Sequence, residues 1–93
     1  MFTLSIEHGI TDYPVWKQAF DRFADARMHA GVLAHRIWRP AGDEHYLVIE
    51  LDFPSREQAE SFRKFLYHVV WPNREASPGL DGAPHARVLE PVA

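Results

Sequence analysis

Ninety-three residues, 46% hydrophobic and 13% aromatic, suit one compact domain spanning 1–93, small enough that a partner subunit would add much to its core. The absence of cysteine excludes a disulfide scaffold, a thiolate nucleophile and a thiolate metal site. A net charge of −3 with scattered Lys and Arg leaves no footprint for nucleic acid, and neither a leader-like start nor a run of ~20 apolar residues occurs, so a soluble, cytoplasmic protein is expected.

Phe2, Leu4 and Ile6 alternate with Thr3, Ser5 and Glu7, which predicts a first strand ended by His8-Gly9. Thr11 or Asp12 can cap a helix whose first turn tolerates Pro14. That helix is expected to run to about His29, with Val15, Trp16, Ala19, Phe20, Phe23, Ala26 and Ala30 on its apolar side and Gly31 as its stop. A hairpin from Leu33 to Phe53 follows. If Trp38 faces Tyr46, then Ile37 opposes Leu47, His35 opposes Ile49 and Leu33 opposes Leu51. One face is then apolar apart from His35, and the other carries Arg36, Trp38, Tyr46, Val48, Glu50 and Asp52. A slip of one residue would exchange the two faces.

Ser55 and Gln58 have capping-box spacing at the start of a second helix, whose stripe is Ala59, Phe62, Phe65, Leu66, Val69 and Val70. Pro72 disfavours helical geometry at Trp71, so this helix should end near Val70. The stretch WPNREASPGLDGAP reads as a loop with one helical turn at Pro72 to Ala76, and His85 to Glu90 as the last strand.

Strand, helix, strand, strand, helix, strand is the split βαβ order of an α+β ferredoxin-like domain, a βαββαβ chain with a four-stranded antiparallel sheet and two helices on one face. The uncovered face, with its aromatic pair, invites a second copy; Arg36, Trp38, Tyr46, Val48 and Glu50 are the candidate dimer-interface residues. The helix DYPVWKQAFDRFADARMHAG, the strand opening GVLAHR, the hairpin into YLVIELDF, the helix opening PSREQAESF and the ending APHARVLEP resemble the dimeric α+β barrel superfamily. Within it, the chain is most similar to the small antibiotic-biosynthesis-monooxygenase-like proteins. The resemblance implies a homodimer in which two sheets pack into a barrel, and a small-molecule pocket between sheet and helices in each subunit. It does not extend to the haem-degrading branch, whose strand Asn and downstream His are matched here by Glu7 and Asp81. Cofactor-free oxygenation of aromatic polyketides in the family relies on Trp, Tyr, Asn and Arg; Trp71, Asn73 and Arg74 are of those types.

His35 is the sharpest candidate for chemistry, because an imidazole on an apolar face can take a proton from a phenol; the competing reading is a buried histidine bonded to backbone or water. Glu50 and Asp52 emerge side by side, as an acid/base pair requires, but pairing with Arg36 is the plainer expectation. Trp16, Phe20, Phe62, Leu66 and Trp71 could line a pocket for a flat apolar ligand, or simply fill the core. The six histidines show no metal-ligand spacing, and no metal or other cofactor is expected. An RNA-binding sheet conflicts with Glu50 and Asp52 on the strand, a metallochaperone would need cysteine, and a phosphatase-like loop would need an arginine among His8 to Thr11. Three readings therefore stand: a metal- and flavin-free monooxygenase in which His35 deprotonates a phenol, Trp71 stacks on it and Asn73 or Arg74 steadies an oxyanion; a cyclase or isomerase in the same pocket; and a non-catalytic dimeric module.

Overall fold

A computed structural model describes all of residues 1–93. Its elements are β1 (Phe2–Ile10), α1 (Tyr13–Arg22), α2 (Ala24–His29), β2 (Ala34–Trp38), β3 (Tyr46–Phe53), α3 (Arg56–Phe65) continued by a π-helical turn (Leu66–Val70), and β4 (Leu80–Leu89). The four strands form one antiparallel sheet in the order β2-β3-β1-β4, the ferredoxin-like arrangement the element order predicts. Leu4, Ile6, Leu47, Ile49, Leu51 and Phe53 point from β1 and β3 to the helices and bury against Trp16, Ala59, Phe62 and Leu66. No helix is long and apolar enough to cross a membrane.

Three boundaries differ from the sequence expectation, and a fourth, the helix end near Val70, falls as expected but with a different geometry. β1 does not stop at His8-Gly9 but runs on to Ile10. A Cβ on Gly9 would lie 2.8 Å from the Asp81 carbonyl oxygen, so this glycine permits a close strand approach beside a bulge in the β1–β4 ladder. The first helix is two helices, broken at Phe23 (φ −90°, ψ 12°), where the Phe20 carbonyl accepts from the Phe23 amide at 3.2 Å. Val15, assigned to its apolar side, is 40% exposed. Trp71 keeps right-handed helical backbone before Pro72, and the helix reaches Val70 by widening into π geometry, its Trp71 amide bonding the Leu66 carbonyl at 2.9 Å. β4 begins at Leu80 and contains Pro84, which an edge strand can hold because one side of its backbone lacks a ladder partner. Ser55 does cap α3, accepting from the Gln58 amide at 3.2 Å, and Gly31, at φ 95°, does end α2.

The hairpin register is displaced by two residues: Trp38 pairs Val48, Ile37 pairs Ile49 and His35 pairs Leu51. The last ladder pair, Trp38 with Val48, leaves Arg39 to Leu47 between its members, two residues more than expected, and the turn is anchored where the His45 amide donates to Asp43 Oδ1 at 2.9 Å. An even displacement leaves each side chain on its expected face.

The uncovered face is polar and internally paired. Arg36 grips Asp52 through both terminal nitrogens (2.9 and 2.8 Å) and Glu50 through Nε (2.9 Å). Thr3 donates to Asp52 at 2.8 Å, Trp38 Nε1 to Glu50 at 3.0 Å and the Tyr46 hydroxyl to Glu7 at 2.8 Å. Arg36 holds both carboxyls below their ordinary range, with Thr3 assisting at Asp52 and Trp38 at Glu50. A carboxyl depressed in the folded state contributes stability above its unfolded pKa and loses it as pH falls through the folded value, here on the acid side of the ordinary carboxylate range. Arg36→Met should therefore move the acid-unfolding midpoint upward by roughly half a pH unit or more, measured by circular dichroism.

Candidate functional site

Between the sheet and the helices lies a cavity of about 80 Å³, walled by Ile6, Ile49 and Leu51 from the sheet, aromatic rings from the helices, and Ala76 to Pro78 from the segment before β4. Two polar side chains with titratable groups reach it, His8 and Arg27.

His8 sits on β1 in line with Leu4 and Ile6 and is 3% exposed. Its Nδ1 lies 2.9 Å from the Gly9 carbonyl oxygen. A carbonyl only accepts, so Nδ1 carries the proton and Nε2 presents a lone pair. Burial lowers the imidazole pKa below its ordinary value, and the Gly9 carbonyl offsets this only partly. The ring is therefore neutral at pH 7, with an unprotonated nitrogen left for the cavity.

An aromatic row continues from His8. Trp16 lies 6.1 Å from the imidazole and stacks on Phe20 at 5.1 Å, and the Arg27 guanidinium sits 3.6 Å above the Phe20 ring. Arg27 also donates to the Phe20 carbonyl. Burial lowers its pKa, and the field of Asp21 opposes that shift.

Trp71 closes the other side. The π turn sets its direction, and its ring meets Tyr67 edge-on at 4.7 Å, while the Tyr67 hydroxyl accepts from the Ala86 amide at 2.9 Å. The covering segment is tied down at both ends: Ser77 Oγ donates to the Asn73 carbonyl at 2.8 Å, and Thr11 donates its amide to the Gly79 carbonyl at 2.8 Å. Gly79, at φ 79°, packs so near the start of α1 that a Cβ would come within 3.3 Å of the Trp16 nitrogen.

Of the residues expected to bind ligand, Trp16, Phe20, Phe62, Leu66 and Trp71 converge on the cavity. Asn73 and Arg74 do not. Both are exposed, and Asn73 Oδ1 accepts from the Glu75 amide at 3.0 Å, capping its own turn. His35 lies on the helix-covered face, yet it is exposed on a short edge strand and meets only the outer side of Phe20 at 5.2 Å. It has no place on the cavity wall. Glu50 and Asp52 serve the Arg36 pairing on the opposite face. His8, which does line the cavity, continues the Phe2, Leu4, Ile6 alternation in the sequence, but the adjoining glycine reads as a strand end.

The chain has the ferredoxin-like fold that the resemblance implied, and solved structures share that fold across nearly the whole chain. It is similar to SnoaB, a cofactor-independent oxygenase from Streptomyces nogalater, with a TM-score of 0.71, 16% identity and coverage of 99% of this chain and 93% of that one. It is also similar to a protein from Nitrosomonas europaea provisionally described as an antibiotic biosynthesis monooxygenase (TM-score 0.69, 12% identity, 100% of both chains). A dimeric ferredoxin-like protein from an uncultured marine organism gives a TM-score of 0.63 at 12% identity over 100% of this chain and 96% of that one. No family model and no curated protein matches the sequence.

Proposed function

We propose that this protein is a homodimer in which each subunit binds a small, flat, largely apolar molecule and oxygenates it with O2, without metal or flavin. The observation that carries the reading is the neutral His8, with its Nε2 unprotonated, on the wall of a largely apolar, aromatic-walled cavity that Arg27 also reaches. A phenol or an acidic ring CH2 delivers its proton to Nε2, and the resulting anion supplies the electrons that O2 accepts. Oxidation of a CH2 to a carbonyl consumes one O2 and releases one water. The fold shared with a cofactor-independent oxygenase supports this chemistry by analogy.

At about 80 Å³ the cavity is well below the ~300 Å³ of an ordinary small-molecule site, so binding a ligand of that size requires Trp71 or the segment at 72–79 to give way against the bonds that hold it. Oxygen-electrode measurements with anthrone and chelator-treated protein test the reading. One O2 consumed per anthrone is expected. Turnover of a phenolic substrate without O2 would assign acid–base cyclase or isomerase chemistry to the same site, and no turnover would end the enzymatic reading.

The uncovered sheet face is the proposed dimer surface. Trp38 is 56% exposed there, beside Val48 in the ladder, and two similar folds belong to proteins described as dimeric. Val48→Glu is expected to give monomer in sedimentation at micromolar concentration; a dimer that persists would place the interface elsewhere.

A further inference from the structure

We infer that the cavity selects an organic anion, an aromatic ring bearing a carboxylate or enolate oxygen, and that Arg27 is the residue that binds this charge. The inference rests on the cavity's being a ligand site, but not on the oxygen chemistry.

Arg27 is 7% exposed, and none of the chain's ion pairs includes it. Arg36, which is far more open to water, holds two carboxylates. Asp21 acts on Arg27 only through its field and is itself held by Lys17 at 2.7 Å, so the buried cation is weakly compensated and an anion arriving from outside would offset the cost of its burial. Within the protein, Arg27 has one hydrogen bond, to the carbonyl left at the break between α1 and α2. A guanidinium carries five N–H donors in a planar fork, so closing the break leaves most of them for a ligand that reaches the cavity wall.

The surroundings specify the kind of anion. Phe20 supports the guanidinium face, Trp16 extends the aromatic row, and His8 stands at its far end. Fully hydrated inorganic phosphate would lose its water to apolar walls, whereas a ring carboxylate lays its apolar part along Trp16 and Phe20 and sets its charge on Arg27. A positive charge there also stabilises negative charge formed when His8 removes a proton from bound substrate.

Trp16 and Trp71 line the cavity, so intrinsic fluorescence reports occupancy. Titration of the full chain with benzoate and with its neutral isostere benzamide is expected to show benzoate binding at least about tenfold tighter, the value of a charge-assisted pair. Arg27→Gln, which can still donate to the Phe20 carbonyl, should abolish that preference, and Arg27→Lys should retain part of it. Equal affinities in the wild type, no binding of either compound, or undiminished benzoate preference in Arg27→Gln would overturn the inference. If Arg27→Gln fails to fold, the wild-type comparison decides alone. Benzoate selectivity without oxygen uptake on any substrate would remove the oxygenase reading and leave this one standing; uptake on a neutral substrate without benzoate selectivity would do the reverse.

Discussion

His8→Gln is expected to lower kcat for oxygen uptake by about 10²–10⁴-fold, the usual contribution of a positioned general base, with KM little changed. Glutamine keeps a donor for the Gly9 carbonyl but has no basic lone pair, so the substitution separates proton transfer from support of the strand. His35→Ala should leave uptake unaltered, because that imidazole stands in solvent beyond Phe20. The pH profile gives a second readout. Because burial holds His8 below 6.5, its ordinary value, kcat/KM should stay flat through neutrality and fall only on the acid side of it. Stability follows in the same direction: a histidine depressed in the folded state contributes fully above its unfolded pKa and loses that contribution as pH drops through the folded one. A His8→Gln protein with undiminished kcat would remove the base from the mechanism.

Phe53→Ala should reduce stability by about 3–5 kcal/mol, a large share of the ~5–15 kcal/mol available to a domain of this kind. Phe53 is 0% exposed, packs on Phe62 at 5.8 Å and pairs with Phe2 at the end of the sheet opposite His8. Its strand neighbours are held in the β1–β3 ladder, which limits how far the site can collapse into the void. A fall in melting temperature on the order of 15 °C or more follows for a chain of this size, checked by thermal denaturation. The residue does not border the cavity, so turnover per folded molecule should persist at low temperature. A loss below about 1 kcal/mol would mean that this end of the core relaxes far more than its packing indicates.

The sheet and the helices are legible in the residues because alternation and helical spacing are strong where a face is buried. The faces of the hairpin survive a two-residue displacement for the same reason: parity, not exact pairing, is what Leu47, Ile49 and Leu51 enforce. What cannot be read is depth. His35 and His8 both sit on the apolar face, and only the strand order shows that one lies at an edge and the other at the centre. Arg27 escapes notice because an arginine in an amphipathic helix reads as solvated; the break at Phe23 buries it. Asn73 and Arg74 match the family's residue types, but the turn they build points them outward.

The π turn at Leu66–Val70 carries a consequence for how such chains diverge. An i→i+5 turn accommodates one residue more than the α-helix it interrupts, so deleting a single codon there would restore ordinary winding with Trp71 still following the helix, and would change which residues of the turn face the cavity. Leu66 and Val70 are core residues, so the change would fall on this end of the core and on the cavity wall together. A difference of one residue in length at this turn can thus reshape the cavity wall, a change that comparison of aligned positions would record only as a gap.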